Sequence, residues 1–300
     1  MLTLFTTARP FRGRTALIQR NALRSWTLLH RDVQIILFGD ADGSQEVAWE
    51  LGIHFEAHPQ VTASGAVRMD YMFATAHRRA RYRTLCYVPC DTLLLRDFCD
   101  ALNRVEALYY EFLMVGRACS MNLEAVRHFG DPDWRGKLRE RGELTDHRFC
   151  ADRPAYVAFS RGAYLADLPA LAIDSPLCTR WLLWKALADQ GTVVDASEMV
   201  LAVRQRDDSS LSPEDENALA EADGPSTALC GSRRHLGTVA HARYLLTFGD
   251  VVHNHWWRWR SWQARTARRG SQAVRAWQEL VGQLRKLTGV AVARGNEVPR

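Results

Sequence analysis

Asp91 stands at the end of an apolar run. In Thr84-Leu85-Cys86-Tyr87-Val88-Pro89-Cys90-Asp91-Thr92-Leu93-Leu94-Leu95 the first residues read as a buried strand, and a single carboxylate follows. Burying a carboxylate is costly unless something pairs with it. Asp91 therefore either caps the next turn or faces a cleft, where it holds a cation or a polar ligand. Other polar groups recur in the same relation: Thr6, Thr7 and Arg9 close the run from Leu2 to Phe5, and Asp40 closes the run from Val33 to Phe38. Near the C-terminus His253 and His255 stand two apart and could ligate a metal ion if the tail folds over a site; structural or exposed histidines are the commoner case.

These groups need elements that gather them. Apolar strands at 2–6, 33–38, 53–56 and 84–88 alternate with helical patterns, among them 14–30 and 66–80, where Met69, Met72, Phe73 and Ala76 share a face. Continuous apolar strands separated by helices predict an α/β fold with a mainly parallel, Rossmann-like central sheet covered on both faces. In open α/β sheets ligands bind beyond the carboxyl ends of the strands, so Thr6 to Arg9, Asp40 and Asp91 are expected along one edge. Further on, residues 107–116, 155–159 and 192–195 read as strands and 181–187 as a helix.

At 300 residues the chain can bury one large core or two modest ones. Its 47% apolar and 24% charged residues are those of an ordinary globular protein. No apolar run is long enough to span a bilayer, and MLTLFTTARPFRGR has no basic leader before a long apolar region, so a cytoplasmic protein is expected. Seven scattered cysteines without a CxxC pair predict reduced, mostly buried thiols.

The net charge of +5 is unevenly placed. From His255 to Lys286 seven Arg and one Lys face one acid, Glu279; this net +7 leaves the rest of the chain at −2. Five tryptophans (256, 257, 259, 262 and 277) interleave with those arginines, and Trp262, Val274, Trp277, Val281 and Leu284 suggest a basic amphipathic helix. Three readings stay open: tryptophans packed on the main domain, a peripheral contact of residues 255–287 with the anionic inner face of a membrane, or, least favoured, nucleic-acid binding. Residues 206–233 are acidic and read as a lid or insertion, with Ser212-Pro213-Glu214-Asp215 as a helix start. The expected division is a main domain over 1–252 and a C-terminal segment over 253–300.

The order FTTARPF, LFGDADG, YVPCDTLLLRDF, AYVAFSRGAYLADLPALAIDSPLCTRWLLWKAL and VVDASEMVLAVRQ resembles the GT-A-fold glycosyltransferases of the nucleotide-diphospho-sugar transferase superfamily, over roughly residues 2–205. The resemblance implies a sugar transferred from a nucleotide-diphosphate donor to an acceptor of unknown class: lipid-linked, glycan, small molecule or protein. It implies a DxD-like motif whose last acid, here Asp91, binds Mn²⁺ or Mg²⁺ bridging the two phosphates; Pro89 occupies the partner position. It places Thr6, Thr7 and Arg9 at the nucleotide, Asp40 at the base and Arg68 near the phosphates. The acid expected two residues before Trp181 is Thr179, which leaves Asp174 and Asp207 as candidates for the catalytic base. Arg204 stands where a histidine ligand is expected and could bring its own charge to the diphosphate. The alternative is a nucleotide- or acceptor-binding protein that keeps the fold without turnover.

Overall fold

The computed structural model describes residues 1–123, 129, 133–144, 153–163, 167–206, 228–231 and 236–254. The chain divides into two units, Met1–His253 and Asn254–Arg300. The segment 255–300 lies outside the described residues, so the amphipathic-helix, membrane and nucleic-acid readings, all of which fall there, lie outside them too. So does most of the acidic stretch, Asp207 included.

The first half is a doubly wound unit. β1 (Leu2–Thr7), β2 (Val33–Phe38), β3 (His54–Glu56) and β4 (Thr84–Tyr87) pair in parallel in the order β3-β2-β1-β4, and α1 (Gly13–Thr27), α2 (Ser44–Leu51) and α3 (Met69–Arg79) connect them. Beyond β4 follow β5 (Thr92–Leu93), α4 (Arg96–Leu108), β6 (Leu113–Gly116), β7 (Ala118–Met121) and α5 (Trp134–Leu144). The last elements are β8 (Tyr156–Ser160), α6 (Pro176–Ala188), β9 (Val193–Asp195), β10 (Ala202–Gln205), β11 (Tyr244–Leu246) and β12 (Val251–His253). Nine strands form one sheet in the order β12-β11-β9-β6-β8-β4-β1-β2-β3, and β5, β10 and β7 form a second, small one.

The large sheet is mixed rather than mainly parallel. β8 runs antiparallel between β4 and β6, and β12 runs antiparallel to β11. A continuous apolar run marks a strand buried on both faces but carries no direction, which is why YVAFS reads equally well either way. The expected strand over 107–116 also begins late. Ala107 and Leu108 finish α4, whose Phe98, Ala101, Leu102 and Val105 repeat at helical spacing and are buried.

Alternate residues of each strand feed two cores. Leu2, Leu4, Ile35 and Leu37 pack with Trp26 of α1, Val47 of α2 and Phe98 of α4 on one face. Phe5, Ile36 and Phe38 pack with Met72 and Phe73 of α3 and Leu177 and Leu183 of α6 on the other. Each fully buried Leu, Ile or Phe contributes about 1.5–3 kcal/mol. α6 starts sharply: Ser175 is its N-cap, accepting from the Leu177 N–H at 3.3 Å, and Pro176 is its first residue. Six of the cysteines are buried and free. No helix among the described residues is long and apolar enough to cross a membrane.

Candidate functional site

β1 is the strand from which the chain departs in both directions: β2 and β3 lie on one side of it and β4 on the other. Such a reversal of strand order opens a crevice at the carboxyl ends of the two strands. Two loops flank it here, residues 8–12 after β1 and residues 88–91 after β4.

The first loop is held from both sides. On one, the buried Gln19 of α1 accepts from the Arg9 N–H at 2.6 Å and donates to the Arg9 carbonyl at 2.8 Å. On the other, the Phe11 N–H donates to the Asp42 carbonyl at 2.8 Å, and Arg12 pairs with the Asp42 carboxylate at 2.9 Å. Phe11 lies so close over Gly43 that a Cβ there would meet the Phe11 Cβ at 2.9 Å, and Gly43 has a φ of 80°. Only glycine fits that contact without strain. Thr6 is fully buried and its hydroxyl donates to the Thr7 carbonyl, whereas Thr7 is half-buried and Arg9 is exposed.

The second loop carries Asp91. One carboxylate oxygen, Oδ1, accepts from the Thr92 hydroxyl at 2.8 Å; the other, Oδ2, lies 3.2 Å from Nε of Arg204. The Asp91 side chain is 37% exposed and that of Arg204 17%, so the pair sits at the floor of an open edge. β10 places Arg204 there by register, opposite Thr92 of β5 and Ser120 of β7. Its neighbour Gln205 is buried and locks the backbone: the Gln205 N–H donates to the Asp91 carbonyl at 2.9 Å. The Gln205 side chain donates to the Ile18 carbonyl at 2.9 Å and accepts from Asn21 at 3.1 Å. One turn of α1, Ile18 to Asn21, thus supports both loops.

Asp174 reaches the same edge from the second half of the chain. Its loop is stitched to the start of α3: the Met69 N–H donates to the Leu171 carbonyl at 2.8 Å and the Ile173 N–H to the Val67 carbonyl at 2.9 Å. The last residue of β4, Tyr87, donates its hydroxyl to the Ile173 carbonyl at 3.0 Å. Burial drives the Tyr87 phenol well above its ordinary range; the charges of Cys178, Asp174 and Asp91 push it the same way, and Arg204 opposes them. Asp174, Asp91 and Arg204 therefore share the neighbourhood of one hydroxyl. Asp174 itself is exposed.

The other expected residues are distributed as follows. Asp40 is at the carboxyl end of β2, where it accepts from the His58 N–H at 2.7 Å and pairs with its ring at 3.1 Å. Arg68 is the N-cap residue of α3, its guanidinium clamped on both oxygens of Asp70. Burial works against the Asp70 charge, but the Arg68 hydrogen bonds, the backbone N–H groups of Tyr71 and Asp70 and the Arg68 charge together outweigh it and hold the carboxyl below its usual range. Thr179 is buried in α6.

His253 is not brought to this edge. It pairs with Tyr244 at the beginning of β11, on the opposite side of the sheet, and β12 lies five strands from β4, about 24 Å at ordinary strand spacing. Among the described residues no three His, Cys, Asp or Glu side chains gather as a metal site. Mg²⁺ and Mn²⁺ can be held by one or two carboxylates together with waters and substrate phosphates; here Pro89 offers no ligand, and both oxygens of Asp91 already face a hydroxyl and a guanidinium. Among the described residues a cation at this edge would meet a single carboxylate, already paired with Arg204.

Of the amides that hold the loops, Gln19 and Asn21 were not singled out by the sequence motifs, and Gln205 entered only as the last residue of VVDASEMVLAVRQ, with no role given to it. Their signal was a pair of polar residues, Gln19 and Asn21, set among Ile18, Ala22 and Leu23 on the buried face of α1. Arg14, at the start of α1, was also missed; its guanidinium donates to the Asn122 side chain just after β7 and ties the small sheet to the first loop.

No family model matches the chain, and no curated protein matches it. Among solved structures it is similar to Mycobacterium tuberculosis glucosyl-3-phosphoglycerate synthase, at 15% identity and a TM-score of 0.47, covering 77% of this chain and 81% of that one. Another structure of that enzyme, in complex with Mn²⁺, UDP-glucose and phosphoglyceric acid, matches at 13% identity with the same TM-score. S. aureus TarS matches at 12% identity and a TM-score of 0.44, over 68% of this chain and 36% of that one. What those proteins bind is a property of those proteins.

Proposed function

We propose that this chain is a GT-A-like glycosyltransferase that takes a sugar from a nucleotide-diphosphate donor. The observation that carries the reading is the Asp91–Arg204 pair at the open carboxyl edge beside the β1–β4 switch point, where this class of sheet receives its ligand. In this reading the loop of Thr7 and Arg9 receives the nucleotide, Asp40 with His58 meets the base, and Arg68 and Arg204 face the diphosphate. Asp174, exposed and tied to β4 through Tyr87, is the candidate base for an acceptor hydroxyl. Asp207 remains a second candidate from the sequence.

A binding protein without turnover is favoured by a different observation. Thr179, where the resemblance leads one to look for an acid, is buried in α6 and could not reach an acceptor.

One experiment separates these readings. Thermal shifts are measured with UDP, GDP, CDP and dTDP, followed by hydrolysis or transfer from the sugar nucleotide of whichever base binds. Ligand at about 100 times Kd stabilises by roughly 2.7 kcal/mol, a shift of a few degrees for a chain this long. A shift with one nucleotide and turnover lost in Asp174→Asn supports the transferase. Binding without turnover supports the second reading, and no shift with any nucleotide removes the transferase and leaves only an acceptor-binding form of the second.

A further inference from the structure

Resting on the nucleotide-diphosphate reading above, we propose that Arg204, and not a divalent cation, is the positive charge against the donor's diphosphate, and that Asp91 is its counter-ion before the donor binds. Three observations lead there. The first is the donor set among the described residues: one carboxylate, with both oxygens engaged, and a proline where a second acid would complete the motif. The second is the way Arg204 is held. Its strand is the middle member of β5-β10-β7, and the next residue, Gln205, is pinned to Asp91, Ile18 and Asn21. A backbone fixed in this way holds the base of the Arg204 side chain in place before any ligand arrives, and the planar fork of a guanidinium suits phosphate oxygens. The third is burial: at 17% side-chain exposure, the charge of Arg204 is only partly screened by solvent.

The two assignments of Asp91 predict opposite signs. A carboxylate that ligates the metal is needed for binding, so neutralising it abolishes affinity. A carboxylate that counters an arginine competes with the incoming phosphate, so neutralising it leaves affinity unchanged or raises it. Electrostatic stabilisation of the leaving phosphate then falls to a residue of the chain itself.

The test is calorimetric titration of UDP, GDP, CDP and dTDP into the full chain, once with EDTA and once with Mn²⁺. Wild type is compared with Asp91→Asn, Arg204→Gln and Arg204→Lys, each checked by its melting curve. The expected result is a nucleoside diphosphate that binds equally in both buffers. Affinity should fall at least tenfold in Arg204→Gln, fall less in Arg204→Lys, and hold or rise severalfold in Asp91→Asn. Wild-type binding that requires Mn²⁺ overturns the proposal and leaves the nucleotide reading standing; this comparison needs no variant to fold. Loss of affinity in a folded Asp91→Asn overturns it in the same way. Absence of binding in either buffer overturns the nucleotide reading and the proposal together.

Discussion

Gln19 grips the backbone of Arg9 from both sides, accepting from its N–H at 2.6 Å and donating to its carbonyl at 2.8 Å. A side-chain amide thereby supplies the pair of hydrogen bonds that a neighbouring strand would have made, at the point where β1 leaves the sheet. The same helical turn reaches Asp91 through Asn21 and Gln205. The two loops flanking the crevice are thus fixed to one rigid helix.

Gln19→Leu is expected to lower stability by about 1–3 kcal/mol, because it leaves a backbone donor and acceptor of a half-buried loop without their partner. Nucleotide affinity should fall further than in an equally destabilised variant remote from the loop. Urea unfolding paired with a nucleotide titration measures both; equal affinity in wild type and Gln19→Leu would show that the loop is not held for binding.

Tyr156 and Gly116 form a second tightly fitted pair, at the carboxyl end of β6. Tyr156 is fully buried with its hydroxyl unbonded among the described residues, and a Cβ on Gly116 would meet that hydroxyl at 2.3 Å. Removing an unsatisfied buried hydroxyl is favourable, so Tyr156→Phe should be neutral or stabilising by up to about 1 kcal/mol. Gly116→Ala should destabilise by about 1–3 kcal/mol through overpacking, and part of that loss should return in the double variant. Melting curves of the three proteins suffice. A Tyr156→Phe variant that melts well below wild type would mean the hydroxyl has a partner.

The sheet, its helices and the edge that collects Asp91, Asp40 and Arg9 were legible because apolar periodicity survives in a single sequence. Direction and partnership were not. Nothing in YVAFS marks β8 as antiparallel, and the run Thr92 to Leu95 does not reveal that Thr92 and Leu93 leave the main sheet to pair with β10. Arg204 could be named from motif order, but its contact with Asp91 depends on a register across 113 residues of chain. The polar supports of the site were hidden for the opposite reason: Gln19, Asn21 and Gln205 look like ordinary surface amides until the fold buries them.

Tyr87→Phe tests whether the Asp174 loop is positioned from β4. The substitution removes only the hydroxyl that donates to the Ile173 carbonyl. Stability should fall by about 1 kcal/mol, the usual net value of such a bond. If Asp174 acts on the acceptor, kcat for transfer should drop while donor affinity stays near wild type, since Asp91 and the first loop are untouched. A parallel loss of donor affinity would mean that the hydroxyl serves the whole site rather than one loop.

Asp97 makes stability depend on pH with a predictable sign. Its Oδ2 accepts from Arg139 at 2.8 Å and from the Leu201 N–H at 3.2 Å, while its Oδ1 is buried without a bond among the described residues. Burial is the largest influence and raises its pKa above the ordinary carboxylate value of 3.8; the Leu201 and Phe98 N–H groups and Arg139 oppose this, and Asp100 adds to it. The folded state therefore holds this proton more tightly than the unfolded chain does. As pH rises from the ordinary value toward the raised one, the unfolded state deprotonates first and stability falls; above the raised value the loss is complete. Asp70, with its pKa lowered by Arg68, has the opposite slope, gaining stability as pH rises toward the ordinary value. Unfolding free energy followed across the mildly acidic range should therefore decline with pH more steeply in wild type than in Asp97→Asn, whatever the constant offset between them. Parallel curves would show that Asp97 titrates as it does in water and that its burial is relieved by solvent.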